Sequence, residues 1–327
     1  MTFDRLSRRT LFKTAGLGAA ALAAPQIMTR SAIAAVPMSA VQPAAFNRFK
    51  LGSFEVTVLS DGGRVGDKPY ETFGTNVPQA EVEALLAANY LPVDKIRNSF
   101  SPTLVNTGTD LVLFDTGLGA GAREGGMGQL LANLQAAGYT PDQVTVVVIT
   151  HMHGDHIGGL TEAGAPAFPN ARYVTGQVDY DFWSSTDRVG TPAENGHKGV
   201  VANVVPLAEK MSFIGDGGAV VPGITGMAAF GHSPGHMIYR IESEGRGLVL
   251  TADTANHFVL SLQRPDWEVR FDMDKAAAAA TRKAVFDMIA TDRLPFVGYH
   301  MPFPGGWLCG EVAEGYRFIP ETYQLDI

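Results

Sequence analysis

The sequence predicts an α+β fold in which two β-sheets pack face to face and helices cover their outer sides. Short strand patterns alternate with helix patterns in both halves of the chain, and both halves contain a similar hairpin. The first hairpin ends at Asp115, in Leu-Val-Leu-Phe-Asp-Thr-Gly, and the second ends at Asp253, in Leu-Val-Leu-Thr-Ala-Asp-Thr. With 46% hydrophobic and 18% charged residues, a chain of 327 residues has enough apolar side chains for a large core.

The elements follow from local pattern. Apolar runs bounded by turn residues predict strands at 54–59, 103–106, 111–114, 144–150, 171–175, 226–230, 238–242, 248–251 and 296–299. Helical patterns predict helices at 79–88, 128–137, 177–184 and 274–290. Turn residues at 107–110 and 243–247 join neighbouring strands as hairpins. We therefore predict one folded domain at 49–327.

The first 34 residues predict an export signal. Arg8 and Arg9 precede a mild apolar run at 14–25, and small residues follow at 32–34. The paired arginines resemble a twin-arginine signal peptide at 1–34, which implies a periplasmic or secreted protein. The run is short and weakly apolar, so we expect no stable membrane anchor. Residues 35–48, rich in Pro and Ala, form the predicted leader between signal and domain.

Charge and cysteine content exclude several classes of protein. The net charge is −8, and removal of residues 1–34, which carry +4, would leave −12. An acidic surface argues against nucleic acid or anionic lipid as a partner. The single cysteine, Cys309, excludes an internal disulfide and a cysteine-rich zinc site. Only the base rate for oligomers favours a homodimer.

The segment His151-Met152-His153-Gly154-Asp155-His156 places three imidazoles and a carboxylate directly after the strand predicted at 144–150. Imidazole nitrogens and carboxylate oxygens bind divalent metals such as zinc. His232, Asp253 and His300 also follow apolar strand patterns, so we expect them at a shared open rim. Seven such groups are too many for one tetrahedral zinc and suffice for two metals with a shared ligand.

This order of motifs resembles the metallo-β-lactamase superfamily of hydrolases. It comprises His-x-His-x-Asp-His, a Gly-His with a second His four residues on, an Asp after a strand, and a late His. The resemblance implies a four-layer αββα sandwich. It also implies two metal sites and a bridging carboxylate, formed by His151, His153 and His232, by Asp155, His156 and His300, and by Asp253 between them. Zinc is the expected metal, with manganese, iron or cobalt as alternatives.

Five shorter segments are similar to the group of the superfamily that contains methyl parathion hydrolase and relatives of the N-acyl-homoserine lactonases: 49–55, 134–139, 167–170, 181–183 and 315–318. Two departures from other members are informative. His153 stands where di-iron flavoprotein members carry Glu, which disfavours redox chemistry. Asp253 stands where many β-lactamases of one subgroup have Cys.

Two close divalent ions can hold a hydroxide between them and polarise the oxygen of the group that it attacks. Asp155 is the candidate for protonating the leaving oxygen, and Asp253 is the candidate for joining the two ions. The leading hypothesis is an exported metal-dependent hydrolase of a small neutral lactone or carboxyl ester. The alternative is an organophosphate triester hydrolase. A β-lactamase and a metal-binding protein without catalysis rank lower.

Other residues are candidates for supporting roles. Asp115 is a candidate for orienting the imidazoles, with a strand-end turn carboxylate as an equal alternative, and His236 is expected to pack below the site. His197 lies in a polar stretch and is expected to be solvated. Candidates for a substrate wall are Phe182, Trp183, His257, Tyr299, Phe303 and Trp307. Aromatic side chains belong to a core more often than to a pocket, and a surface position is the alternative for His257.

Overall fold

The computed structural model of the chain describes residues 45–304, 308–312 and 314–320. The predicted signal and Trp307 lie outside these residues. Strand β1, Phe46–Leu51, begins inside the predicted leader, and Phe46 packs against the core. The domain boundary predicted at residue 49 is therefore too late, because pairing of β1 with β2, Phe54–Leu59, starts at Phe46. Among the described residues, no helix has the length and apolarity needed to cross a membrane.

The strands after β2 are β3 Gly62–Asp67, β4 Lys95–Phe100, β5 Thr103–Asn106, β6 Leu111–Phe114, β7 Val146–Ile149, β8 Thr161–Glu162, β9 Ala165–Pro166, β10 Arg172–Gly176, β11 Met211–Ile214, β12 Ala219–Val221, β13 Ile224–Ala228, β14 Met237–Ser243, β15 Arg246–Ala252, β16 Phe296–Gly298, β17 Leu308–Val312 and β18 Gly315–Ile319. The α-helices are α1 Gln79–Ala88, α2 Leu130–Ala136, α3 Gly154–Ile157, α4 Gln177–Ser184, α5 Glu194–Asn203, α6 Leu260–Gln263 and α7 Lys275–Asp292. All predicted strands and helices are present, with ends that differ by at most two residues.

Two sheets form the centre of the domain. The first has seven strands in the order β1-β2-β5-β6-β7-β10-β11, and the second has five in the order β12-β13-β14-β15-β16. Strands β6, β7, β10 and β11 run parallel to their neighbours in that series, as do β15 and β16. The carboxyl ends of parallel strands meet at one edge of a sheet, where the loops that follow them can converge.

Both faces of the central strands are buried, which produces four layers. In β7, Val146 and Val148 belong to the core between the two sheets, whereas Val147 and Ile149 belong to the core beneath α2 and α5. On the far side of the second sheet, Phe286 of α7 belongs to a third core. Strands buried on both faces read as continuous apolar runs, as Val-Val-Val-Ile does here. The predicted αββα sandwich is confirmed.

Helix α5 is not predicted by the sequence, because its ten residues include two glycines and two asparagines, which are weak helix formers. Packing stabilises it instead: an added Cβ at Gly196 would lie 2.3 Å from the ring of Trp183. The expectation of a solvated His197 is wrong. His197 is buried in α5, and its Nδ1 donates to the carbonyl oxygen of Trp183 at 2.8 Å.

Candidate metal centre

The predicted ligands meet at one edge between the two sheets. His151 and His153 lie in the loop between β7 and α3, α3 carries Asp155 and His156, and the other three ligands follow β13, β15 and β16. The structure brings together all seven side chains predicted as ligands, namely His151, His153, Asp155, His156, His232, Asp253 and His300. Each strand fixes the backbone at the start of the loop that follows it, so rigid elements hold the ligand side chains together.

The first group consists of His151, His153 and His232. Nε2 of His151 and Nε2 of His232 each lie 3.0 Å from Nδ1 of His153. A tetrahedral zinc ion with Zn–N bonds of about 2.0–2.1 Å separates its nitrogens by about 3.3 Å, so this spacing fits one ion. Burial lowers the pKa of His153 to about 3 and the pKa of His151 well below its usual value. Both rings are therefore neutral, which is the form that binds metal.

The second group consists of Asp155, His156 and His300. Oδ2 of Asp155 lies 3.8 Å from Nε2 of His156 and 3.4 Å from Nε2 of His300. Asp253 contacts both groups, because its Oδ1 lies 3.3 Å from Nε2 of His156 while its Oδ2 lies 3.2 Å from Nε2 of His232. A carboxylate in this position has the geometry to bridge two ions.

Two buried atoms show that the residues present fit a divalent cation. Within the described structure, Nε2 of His156 and Oδ1 of Asp253 have no hydrogen-bond partner. His156 donates from Nδ1 to Oδ2 of Asp115 at 2.8 Å, so whenever the ring is neutral the lone pair of Nε2 faces Oδ1 of Asp253. Two buried acceptors in this arrangement have lost their hydration and repel unless a proton or a cation lies between them. A divalent cation can take the place of that proton.

The carboxylates set the electrostatic field of the site. Burial by itself would lower the pKa of His232, but Asp253 and Asp272 raise it to about 9. In the same way, Asp253 and Asp115 overcome burial and raise the pKa of His156 well above its usual value. A field that attracts protons also attracts divalent cations, so metal binding here must displace protons.

Asp115 is connected to both ligand groups, directly to His156 and through Thr150 to His151. Besides His156, its carboxylate accepts the hydroxyl of Thr150 at 2.8 Å and the Thr150 N–H at 2.8 Å. The Thr150 hydroxyl in turn accepts from Nδ1 of His151 at 3.1 Å. Contacts of this kind hold the ring orientation and tautomer of metal-binding histidines. His236 lies beneath the site, where its Nε2 accepts the N–H of Asp253 at 3.1 Å.

Asp272 and Arg282 support the site and are not predicted by the sequence. Nδ1 of His232 donates to Oδ1 of Asp272 at 2.9 Å, and Oδ2 of Asp272 accepts from the buried guanidinium of Arg282 at 2.7 Å. Arg282 also donates to the carbonyl oxygen of Thr254, next to Asp253. Arg282 lies within α7. A charged residue in a helix pattern is expected to be exposed to solvent, so the sequence does not indicate this role.

A cavity of about 460 Å³ opens onto both groups. This volume lies within the usual range for small-molecule sites. Among the described residues, its lining besides the ligands and Gly154 consists of four apolar side chains and three polar ones, namely Phe100, Leu118, Met127 and Phe271, with Arg64, Asn98 and Asn256. None of these seven is predicted by the sequence. Asn256 follows Asp253 by three residues and donates to its carboxylate, and the other six come from segments distant from the metal motifs.

The predicted substrate wall is wrong for the five of its residues that the structure describes. Phe182, Trp183, His257, Tyr299 and Phe303 do not line this cavity. Trp183 and Tyr299 are buried in the core, with Tyr299 packed on the ring of His156 at 4.0 Å. His257 is buried. Its Nδ1 accepts hydrogen bonds from the N–H groups of Val259, just before α6, and of Leu260, the first residue of α6.

The other two aromatic residues are likewise not part of the cavity lining. Phe182 packs beneath the guanidinium of Arg188 at 4.4 Å from its ring centre, and Phe303 is 38% exposed. Tyr299 is nevertheless relevant to the site, because its hydroxyl donates to the carbonyl oxygen of Asp155 at 2.6 Å. Although these side chains are close in sequence to the metal motifs, they lie in the surrounding core and surface rather than in the cavity lining.

Asp61 fixes one wall of the cavity. Its buried carboxylate accepts the N–H groups of Leu118 at 2.8 Å, Gly128 at 3.2 Å and Leu130 at 2.8 Å. The approach is so close that a Cβ at Gly117 would lie 2.3 Å from the Asp61 carboxyl carbon. Leu118 lines the cavity, so Asp61 holds it there. Its one sequence signal is that Asp61 lies two residues after the end of β2, much as Asp115 directly follows β6.

Comparison with known proteins assigns the family. A sequence profile of the metallo-beta-lactamase superfamily matches residues 101–291, which is more than half of the chain. That span contains every ligand candidate except His300. The chain belongs to the metallo-β-lactamase superfamily and is by class a metal-dependent hydrolase, as the sequence predicts.

Two curated relatives are N-acyl homoserine lactonases. The one from Bacillus cereus is 28% identical over 195 residues, which cover 59% of this chain and 67% of the relative. N-acyl homoserine lactonase AiiA from Bacillus thuringiensis subsp. kurstaki is 29% identical over 124 residues, 38% of this chain and 43% of the relative. The chain thus spans about two thirds of the first relative and less than half of the second.

Two solved structures are similar over nearly their whole length. AidC, described as a dizinc quorum-quenching lactonase, is 28% identical with a TM-score of 0.76, and the match covers 85% of this chain and 98% of AidC. The hydrolase AbOPH of the beta lactamase superfamily is 26% identical with a TM-score of 0.78, and the match covers 86% of this chain and 99% of AbOPH. Both share the fold described above.

We predict that Asp61 makes the stability of the folded protein depend on pH. Burial raises the pKa of its carboxyl from 3.8 to about 6, against its backbone hydrogen bonds, so the folded state binds this proton more tightly than the unfolded state. The stability that follows is fully present below about pH 4 and is lost as the pH rises through about 6, with a change of the order of 3 kcal/mol. We expect the unfolding free energy of the wild type, measured in urea relative to that of Asp61→Asn, to be lower at about pH 7.5 than at about pH 4.

Asp142→Asn is the control, because Asp142 is exposed. Its unfolding free energy relative to the wild type should not depend on pH over this range. If the difference between the wild type and Asp61→Asn is the same at both pH values, the predicted linkage is wrong.

Proposed function

We propose that this chain holds two divalent metal ions and hydrolyses a lactone or carboxyl ester of a small neutral molecule. One observation carries this proposal: a single cavity joins both ligand groups to a wall formed by Phe100, Leu118, Met127 and Phe271. An apolar wall favours an uncharged acyl group over an anion, because burying an unpaired charge is costly. A lactone satisfies that condition, because its ring and carbonyl oxygens carry no net charge.

The similar proteins support the same substrate class. The curated relatives are named as lactonases that act on N-acyl homoserine lactones, and AidC is described as a dizinc lactonase. Its match covers 98% of AidC, so the whole hydrolase domain is similar rather than the metal motif alone. Zinc is the proposed metal, since imidazole and carboxylate ligands in two compact groups suit it.

When bound, the two ions polarise the substrate carbonyl and lower the pKa of water in the site toward about 7. Asp253 contacts His156 and His232 and so keeps the two groups at a constant separation. In hydrolysis, a bond forms from the water oxygen to the carbonyl carbon, and the bond from that carbon to the leaving oxygen breaks.

Asp155 is the proposed carrier of the proton. Its side chain is 23% exposed and borders the cavity, and the Tyr299 hydroxyl anchors its carbonyl oxygen. Its carboxylate accepts the proton that the attacking water releases and passes it to the leaving oxygen, so the product is an alcohol and the reaction conserves charge. In a lactone, the alcohol and the carboxylic acid remain in one molecule, and at neutral pH the acid releases its proton to solvent.

Metal content tests the dinuclear site. Purified wild-type protein dialysed against zinc should contain about two ions per chain by elemental analysis. Asp253→Asn should hold at most one, because the amide has one acceptor oxygen and no charge to join two cations. The exposed Asp142→Asn should still hold two. Two ions in Asp253→Asn, or full activity after metal removal by a chelator, would contradict the proposal.

A substrate panel tests the reaction. N-acyl homoserine lactones, γ-lactones, aryl acetates, a neutral phosphotriester and a cephalosporin should be compared on zinc-loaded protein. We expect the highest kcat/KM for a lactone, at least ten-fold above the phosphotriester and the cephalosporin, which is about 1.4 kcal/mol of transition-state free energy. The reverse order would instead establish the phosphotriesterase, the alternative that the segments similar to methyl parathion hydrolase favour.

Export through a twin-arginine route is a further part of the proposal, and it rests on residues 1–34 alone. Replacement of Arg8 and Arg9 by lysine should leave the protein in the cytoplasm with residues 1–34 attached, because the arginine pair is the recognition element. Intact mass and N-terminal sequencing of the cell fractions measure this. Periplasmic wild-type protein that retains residues 1–34 would argue against cleavage near residue 35.

A further inference from the structure

A buried carboxylate outside the two ligand groups joins the loops that carry the first group. Asp179 lies in the first turn of α4, and its side chain is fully buried. Its Oδ2 accepts the N–H of Met152 at 2.8 Å. Its Oδ1 accepts the hydroxyl of Ser233 at 2.5 Å and the N–H of Gly235 at 3.0 Å. The mechanism above does not use this residue.

The three donors sit at positions that set the distance between metal ligands. Met152 separates His151 from His153, and Ser233 directly follows His232. These three imidazoles form the first group, and they come from two loops about 80 residues apart in sequence. One backbone hydrogen bond, from the Met237 N–H to the carbonyl oxygen of Thr150, also joins the loops at 3.0 Å. Asp179 adds three more bonds on the ligand side of that link.

Glycine permits the close contact that this arrangement needs. A Cβ at Gly235 would lie 2.1 Å from the backbone nitrogen of Asp179. A Cβ at Gly176, directly before α4, would lie 2.9 Å from the carbonyl oxygen of Gly235. The loop at 231–236 therefore lies directly on the first turn of α4, and the side chain of Asp179 reaches both loops from there.

The charge of Asp179 is not neutralised by its hydrogen-bond donors, since two backbone N–H groups and one hydroxyl are all neutral. Burying a carboxylate is costly, even when hydrogen bonds and the nearby His232 offset part of the penalty. A divalent cation held by the adjacent imidazoles would compensate that charge at short range. The carboxylate therefore has two effects. Its hydrogen bonds hold the two loops together, and its negative charge attracts a cation to the adjacent ligand group.

On this basis, and given the proposed dinuclear function, we propose that Asp179 is a positioning residue for the first metal ion. Its carboxylate holds the loops of His151, His153 and His232 at the spacing one ion requires, and its charge strengthens cation binding. An asparagine has the same shape but only one acceptor oxygen. It cannot accept from both loops at once without directing its amide N–H₂ at another donor.

The test compares Asp179→Asn with Asp181→Asn, a matched control that removes an exposed carboxylate two residues further along α4. Zinc affinity is measured by competition with a chromogenic chelator. Asp179→Asn should raise the Kd of one zinc ion about 10- to 100-fold, as loss of a ligand-supporting contact does elsewhere. Asp181→Asn should leave both Kd values unchanged.

A spectroscopic readout separates positioning from general stability. In the cobalt-substituted protein, Asp179→Asn should alter the absorption bands of one cobalt ion, because the spacing of its imidazoles changes. A purely structural role would lower the unfolding free energy of the metal-free protein and leave the Kd and the cobalt spectrum as in the wild type. That result would overturn the proposal.

Ser233→Ala keeps the test decisive if Asp179→Asn does not fold. It removes one donor to Asp179 and no charge, and it should raise the same zinc Kd several-fold. An unchanged Kd in this folded variant would overturn the proposal. If the wild type itself binds no ion, the proposed dinuclear function fails instead, and the two failures are therefore distinguishable.

Discussion

The site depends on one electrostatic constraint: imidazole nitrogens and carboxylate oxygens are buried face to face, and only a proton or a metal ion between them offsets their lost hydration. Nε2 of His156 faces Oδ1 of Asp253 at 3.3 Å, and the imidazole nitrogens of the first group approach within 3.0 Å. Such an arrangement is unfavourable in a folded protein unless positive charge occupies the space between the acceptors. The remaining structure serves to hold these groups together against that repulsion.

Buried carboxylates supply much of this support. Asp61, Asp115 and Asp179 each accept hydrogen bonds from a loop near the site, and Asp272 connects His232 with the buried Arg282. A carboxylate with two oxygens can accept several bonds at once, so a single side chain can hold two segments. Burial of charge is costly, and here the loop hydrogen bonds offset part of that cost.

The ligand groups and the cavity wall come from different parts of the fold. The ligands follow strands of the two central sheets, whereas Phe100, Leu118, Met127 and Phe271 belong to β4, to the segment that Asp61 holds, and to the approach to α7. The wall segments also support the ligands, because the Phe100 ring lies 5.4 Å from the His300 ring and Asp272, next to Phe271, accepts from His232. None of the four wall residues belongs to the metal motif, which is why that motif by itself does not identify the substrate.

The sequence by itself determined nine of the eighteen described strands, four helices, the two-sheet architecture and the ligand candidates. Each of these depends on local pattern, because apolar runs define strands and the spacing at 151–156 places four ligand groups within six residues. Only the tertiary structure decided helix α5, the cavity wall and the roles of Asp179 and Arg282. Their partners lie far away in sequence, and a charged residue in a helix pattern looks the same whether it faces solvent or a buried donor. Packing between distant segments, rather than local spacing, decides which of these it is.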